Sequence, residues 1–183
     1  MEAVHVADDL EAVILTEEQI LARVAALATE LHERLDGRVP VLIGVLGSAA
    51  TFAVDLARAY PGQVEMGWMA IRSYATGSRA SGSVRLLKDL DVDIAGRDVV
   101  IVDGVIDTGL TMNWLIASLA QRGPSSLTVC ALLRKPEAAT FADRPTFVGF
   151  DVGPGLIVGY GLDFNGKYRN LRCAAVLSPR VYV

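Results

Sequence analysis

The sequence predicts an α/β fold: a mainly parallel twisted sheet flanked by helices on both faces. Three observations carry that expectation. Strand, turn and helix follow one another at least twice, in "VPVLIGVLGSAATFAVDLARAY" and in "VVIVDGVIDTGLTMNWLIASLA", and such units close right-handed crossovers between parallel strands. The expected strands are rich in β-branched residues, whereas the expected helices space their apolar residues by three and four. At 183 residues, 52% of them hydrophobic, the chain suits one substantial core and is short for two, so a single domain over 1–183 is expected.

The first helix is expected from Thr16, where T-x-x-Q forms a capping box and Ile20, Leu21, Val24, Leu27 and Leu31 fall at helical spacing. Gly37 closes it. "VPVLIGVL" reads as a short strand, then a small-residue turn at Gly47 and Ser48, then a helix reaching about Tyr60. "VEMGWMAIRSY" is another strand and "VRLLKDL" its return, joined by "ATGSRASGSV", the Gly- and Ser-rich tip of a long hairpin. "RDVVIVDG" is the next strand, "LTMNWLIASLAQRG" a helix stopped at Gly123 and Pro124, and "SLTVCALL" the strand after it. "PTFVGFDV" and "LIVGYGLDF" close the chain as shorter strands.

Composition excludes several classes. A formal net charge of −4 offers no general basic face to a nucleic acid. Cys130 and Cys173 sit in "TVCALL" and "LRCAAV" without C-x-x-C spacing, so buried reduced thiols in a cytoplasmic setting are expected rather than a metal site or a disulfide. The acidic opening residues have neither the basic nor the apolar region of a secretory leader, and no apolar run reaches membrane-spanning length. Neither a membrane nor a nucleic acid is therefore an expected partner. His5 and His32 are too few for catalysis or metal binding, and His32, on an amphipathic helix, is expected to be solvated.

The stretch "VVIVDGVIDTGLT", Val99 to Thr111, runs apolar and then turns acidic, glycine-rich and hydroxylated. Charge so close to a core needs compensation. Gly109 lets backbone approach a ligand, and the N–H groups opening the next helix, with the hydroxyls of Thr108 and Thr111, suit a phosphate. The carboxylates of Asp103 and Asp107 suit sugar hydroxyls or a hydrated magnesium ion. The alternative is that Asp107 or Thr108 simply caps the helix. Neither G-x-G-x-x-G nor G-x-x-x-x-G-K-[ST] is present here, which argues against a dinucleotide fold or a P-loop.

"VVIVDGVIDTGLT" resembles the 5-phosphoribosyl pyrophosphate (PRPP) motif of type I phosphoribosyltransferases. "ILTEEQI", "MAIRSY", "VRLLKDLDVDIAGRDVVIVD", "LLRKP", "FVGF", "VGYGLDFNGKYRNL" and "VLSPRVY" extend the resemblance, in order and over nearly the whole chain, to hypoxanthine-guanine phosphoribosyltransferases. That resemblance implies the type I fold with a small hood and a mobile hairpin loop. It implies PRPP and a purine-like base as partners, Mg²⁺ as cofactor, and a homodimer or homotetramer. It assigns the 5-phosphate to Asp107, Thr108, Gly109, Leu110 and Thr111, with Asp107 as the proposed proton acceptor at purine N7. It places Lys135 on the oxygen at C6, Phe147 and Val148 against the base, Arg169 on pyrophosphate, and Ser73 and Tyr74 at the base of the loop that excludes water.

Three departures accompany it. The pyrophosphate turn usually reads L-K-G with a cis peptide; here it reads Leu46, Gly47, Ser48, which removes a lysine. The acidic pair that grips the ribose diol and helps place magnesium is Asp103 followed by Gly104, so Asp103 alone remains as a metal ligand. A missing partner there costs about 1–3 kcal/mol, roughly tenfold to a hundredfold in binding or rate. Pro154 stands where an aspartate near C2 of the purine is usual, and Asp151 is a candidate substitute. These departures define two competing readings: a specialised enzyme for a modified or deazapurine base, and a catalytically weak PRPP-binding regulator.

Overall fold

Two sheets appear in the computed structural model, which describes residues 1–75, 82–136 and 146–182. A short 3-10 segment, Ala3–Asp9, leads into β1 (Leu10–Leu15) and α1 (Glu17–Arg34). There follow β2 (Val41–Leu46), α2 (Ala50–Ala59), β3 (Glu65–Ala75), β4 (Gly82–Lys88) and β5 (Asp98–Ile106). The chain continues through α3 (Leu110–Ala120), β6 (Ser126–Arg134), β7 (Thr146–Asp151), β8 (Ile157–Val158) and β9 (Ala174–Leu177).

The six-stranded sheet has the order β4-β3-β2-β5-β6-β7, parallel except for β4 at its edge. Its central strands are buried on both faces, which is why they read as unbroken apolar runs. Val100 and Val102 of β5 face the core under α1 and α2, while Val99 and Ile101 face the core under α3. In α1 the capping box forms as expected, with Gln19 N donating to Thr16 Oγ1 at 3.3 Å and Thr16 N to Gln19 Oε1 at 2.9 Å. Ile20, Val24, Leu27 and Leu31 enter the core, but Leu21 stays 44% exposed.

The second sheet, β1-β9-β8, is antiparallel and joins the two ends of the chain. It corrects the expected close of the chain. Only Ile157–Val158 of "LIVGYGLDF" is a strand, because Gly159, Tyr160 and Gly161 all take positive φ and turn the backbone away. The closing strand comes from "AAVL" instead.

His32 also differs from expectation. Its ring packs edge-on against Tyr60, centroids 5.2 Å apart, and its Nδ1 is buried without a hydrogen-bond partner. Cys130 and Cys173 are free and buried. Among the described residues no helix is long and apolar enough to cross a membrane. The Gly- and Ser-rich hairpin tip lies largely outside the described residues; the backbones of Ser73 and Tyr74 pair with Val84 and Ser83 at its base.

Candidate active site

Parallel strands leave their carboxyl ends on one edge of the sheet, and ligand sites gather there. In this chain β5 does not stop at its acidic residue. It runs on to Ile106, in register with β6 through Asp103 opposite Ala131 and Ile106 opposite Arg134. Asp103 is therefore a strand residue, only 5% exposed. Its Oδ1 accepts from Gly104 N at 2.7 Å and from the Ser48 hydroxyl at 3.3 Å. Burial pushes its pKa up to about 6, against the pull of those hydrogen bonds.

Past the strand, Asp107 is exposed and its Oδ2 lies 3.0 Å from Lys135 Nζ. Lys135 is held there by its own backbone, whose N–H donates to Ile106 O at 2.9 Å. Gly109, at φ 81°, turns the chain into α3. The carboxylate of Asp107 is directed to the lysine, and Thr108 Oγ1 accepts a long 3.4 Å bond from Leu110 N. Capping thus does not account for the acid in this turn. Together Ser48, Asp103, Asp107, Thr108, Gly109 and Thr111 line a cavity of about 340 Å³, with Ile71, Ile106 and Met112 as part of its apolar wall. Leu110 is not on that wall and is 37% exposed.

The opposite side of the cavity is the turn after β2. The Leu46–Gly47 peptide is cis. A Cβ placed on Gly47 would lie 3.1 Å from Cζ and Nη2 of Arg169 and 3.2 Å from Nη1, so the guanidinium rests against this glycine. Arg169 Nη1 also donates to Gly161 O at 2.6 Å, and Nη2 pairs with Asp163 Oδ1 at 2.7 Å. The Ser48 carbonyl in turn sits between two glycines: a Cβ on Gly104 would be 2.7 Å from that oxygen, and one on Gly161 2.8 Å. Gly47 and Gly104 are occupied neighbours of other groups rather than gaps.

The structure thus brings Gly47, Ser48, Asp103, Gly104, Asp107, Thr108, Gly109, Thr111, Lys135 and Arg169 to one corner. It does not bring Phe147 and Val148 there. They lie near the start of β7, opposite Cys130 and Ala131, and neither lines the cavity, whose wall on β5 runs from Asp103, level with Ala131, to Ile106, level with Arg134. Phe147 packs against the core under α1 and α2, and Val148 O accepts from Arg23 Nη2. Asp151, at the end of β7, is engaged by Arg134 through bonds of 2.7 and 3.0 Å. The Arg134 guanidinium holds its carboxyl below the usual range. Sequence reasoning missed Asp163, the partner of Arg169; an acid beside a glycine-rich turn, six residues before an arginine, was the available signal.

Comparison with known proteins agrees with this geometry. Residues 12–165 match the family model described as the phosphoribosyl transferase domain. A hypoxanthine-guanine phosphoribosyltransferase of Mycobacterium avium is 47% identical over 180 residues, covering 95% of this chain and 89% of that protein. The enzyme of the same description from Bacillus subtilis is 38% identical, covering 95% and 97% respectively. A crystal structure of a hypoxanthine phosphoribosyltransferase from Staphylococcus aureus superposes with a TM-score of 0.92 at 32% identity, covering 98% of this chain and 97% of that one. With its parallel sheet, its acidic turn ahead of α3 and these relatives, the chain belongs to the phosphoribosyltransferase family, within its hypoxanthine-guanine group.

Proposed function

We propose that this chain transfers the 5-phosphoribosyl group from PRPP to hypoxanthine or guanine, releasing pyrophosphate and forming a nucleoside 5'-monophosphate. The observation that carries this reading is the cavity itself. One wall is a helix start with threonine hydroxyls, suited to a phosphate, and its rim is the Asp107–Lys135 pair, suited to the N–H and carbonyl of an oxopurine. The specialised-base and regulatory readings lose their footing, because relatives at 47% identity are hypoxanthine-guanine enzymes and because Gly47 and Gly104 are filled by Arg169 and Ser48.

In this reading the turn from Asp107 to Thr111 holds the 5-phosphate and fixes the anomeric carbon, while the turn at Gly47 and Ser48, with Arg169, receives the pyrophosphate. The bond from C1 to the pyrophosphate oxygen breaks, its electron pair leaving with pyrophosphate, and a ring nitrogen of the base forms the new bond to C1. The proton lost from the base goes to Asp107. Lys135 donates to the oxygen at C6, which opens its present pair with Asp107. Ser73 and Tyr74 stand at the foot of the segment that would close over the reaction and exclude water.

Mg²⁺ fits this corner through oxygen donors, since it commonly binds one or two carboxylates together with substrate phosphates and retained waters. Asp103, on the cavity wall, is the carboxylate that would hold it. Bound there, the ion would neutralise charge on the departing pyrophosphate. Two free buried thiols support a reducing, cytoplasmic setting. Assembly into a homodimer or homotetramer belongs to the same reading and rests on the family resemblance alone.

The direct test is incubation with PRPP, Mg²⁺ and either hypoxanthine or guanine, following pyrophosphate release and nucleotide mass. Turnover of both bases is expected. Binding of PRPP without turnover of either would overturn the reading.

A further inference from the structure

We propose that Gly47 is a positioning residue for Arg169: having no side chain, it leaves a seat on the Leu46–Ser48 backbone that holds the guanidinium in place for a diphosphate. This inference rests on the pyrophosphate reading above and adds to it the residue that aims the arginine. The nearest heavy atoms to a Cβ at position 47 are Cζ, Nη1 and Nη2 of Arg169, at 3.1 to 3.2 Å, so the fork itself fills the space. Its far edge is fixed by Gly161 O and Asp163 Oδ1, which limits how far it can back away. Two of the five N–H donors of the guanidinium are committed to those partners, and the side chain is 40% exposed, so it remains within reach of an oxyanion.

Position 47 lies between Leu46 and Ser48, both on the cavity wall, which places the seated fork beside the bound ligand. Gly47 is not among the glycines in the left-handed region, so an added side chain tests space and not backbone strain. The loop and Arg169 act in consequence as one anion-binding unit. Asp163 belongs to it as the group that keeps the fork oriented when no diphosphate is present.

A double-mutant cycle tests the seat, using calorimetric titration of Mg²⁺-pyrophosphate into Gly47→Ala, Gly47→Leu, Arg169→Ala and Gly47→Leu/Arg169→Ala. Ribose 5-phosphate serves as the control ligand for the turn before α3. Pyrophosphate affinity is expected to fall about threefold in Gly47→Ala and about thirtyfold in both Gly47→Leu and Arg169→Ala, the loss that follows from one charged hydrogen-bonding partner. The double variant should lose no more than Arg169→Ala alone, and ribose 5-phosphate should bind all four variants as it binds the parent. KM for PRPP should rise in parallel, with KM for the base unchanged.

Losses that multiply in the double variant would overturn the seat, as would wild-type pyrophosphate affinity in Gly47→Leu or weakened ribose 5-phosphate binding in Gly47→Ala. Wild-type pyrophosphate affinity in Arg169→Ala is a different failure. It would remove the pyrophosphate reading of this corner, and the seat with it.

Discussion

The turns that follow β5 and β2 face each other across one cavity and are built from opposite materials. The turn after β5 supplies its own chemistry: Asp107, Thr108 and Thr111 lie within five residues, around a single left-handed glycine. The turn after β2 supplies mostly bare backbone, and distant parts of the chain complete it. Arg169 covers Gly47, Gly104 and Gly161 flank the Ser48 carbonyl, and Asp103 takes the Ser48 hydroxyl. A turn of the first kind depends on its own side chains. One of the second kind depends on distant residues, on glycines that leave it room and on the side chains of Arg169 and Asp103 that close on it.

The largest expected effect lies in the first turn. Asp107→Asn keeps the shape but removes the proton acceptor, and kcat should fall by about 10²–10⁴, the usual contribution of a positioned acid or base. Binding of ribose 5-phosphate should persist, as read by calorimetry. A kcat within a few-fold of the parent would transfer the proton to another group.

Next is the second turn, where Gly104→Asp would rebuild the acidic pair that the family's pattern contains. Sequence alone suggests a gain in PRPP affinity. Geometry reverses the sign, because the new Cβ would meet Ser48 O at 2.7 Å and Ser48 C at 3.0 Å, and backbone atoms have no rotamer to escape into. We expect kcat/KM for PRPP to fall about a hundredfold and stability to fall by about 1–3 kcal/mol, as in overpacked sites. Improved PRPP affinity in steady-state kinetics would show that the loop moves aside freely, and would erase the contrast between the two turns.

That contrast explains what the sequence made legible. The capping box at Thr16 and Gln19, the β-branched strands and the turn from Asp107 to Thr111 are local patterns, each set by residues a few positions apart. The pairing of β1 with β9 joins opposite ends of the chain, and no local period announces it. By sequence Asp103 lies near the end of the strand "RDVVIVDG", at the start of an acidic turn. It stays in the strand because Gly104 N–H and the Ser48 hydroxyl satisfy one of its oxygens. Arg169 in Gly47's space was invisible for the same reason: a missing side chain in sequence says nothing about what occupies its place.

Asp103 joins the two turns, and its burial yields a pH prediction. The folded protein holds its carboxyl at about 6 and the unfolded chain at its ordinary 3.8. As pH rises from 3.8 to 6 the unfolded chain releases the proton first, so stability carried by the neutral acid is present below 3.8 and is lost by the time pH passes 6. The loss is about 3 kcal/mol. Asp103→Asn keeps an acceptor oxygen and never ionises. Without ligands, it should melt roughly 5–10 °C above the parent at pH 7.5 and nearly with it at pH 4. The same offset at both pH values would mean that packing, not charge, separates them.

The smallest expected effect concerns Phe147, where a familiar string and the geometry part company. "FVGF" suggests an aromatic stacked on the base, but β7 starts in register with Val129, so Phe147 sits beside Cys130 in the body of the sheet and packs under α1 and α2. Phe147→Leu removes ring atoms from that core and nothing from the cavity wall. Stability should drop by about 1 kcal/mol, read by denaturant melting, while KM for hypoxanthine stays within twofold of the parent. A stacking partner would behave in the opposite way, since losing a ring face costs base affinity by about 1 kcal/mol and leaves a melt governed by the core almost untouched. The two measurements therefore separate a residue that supports the sheet from one that holds the substrate.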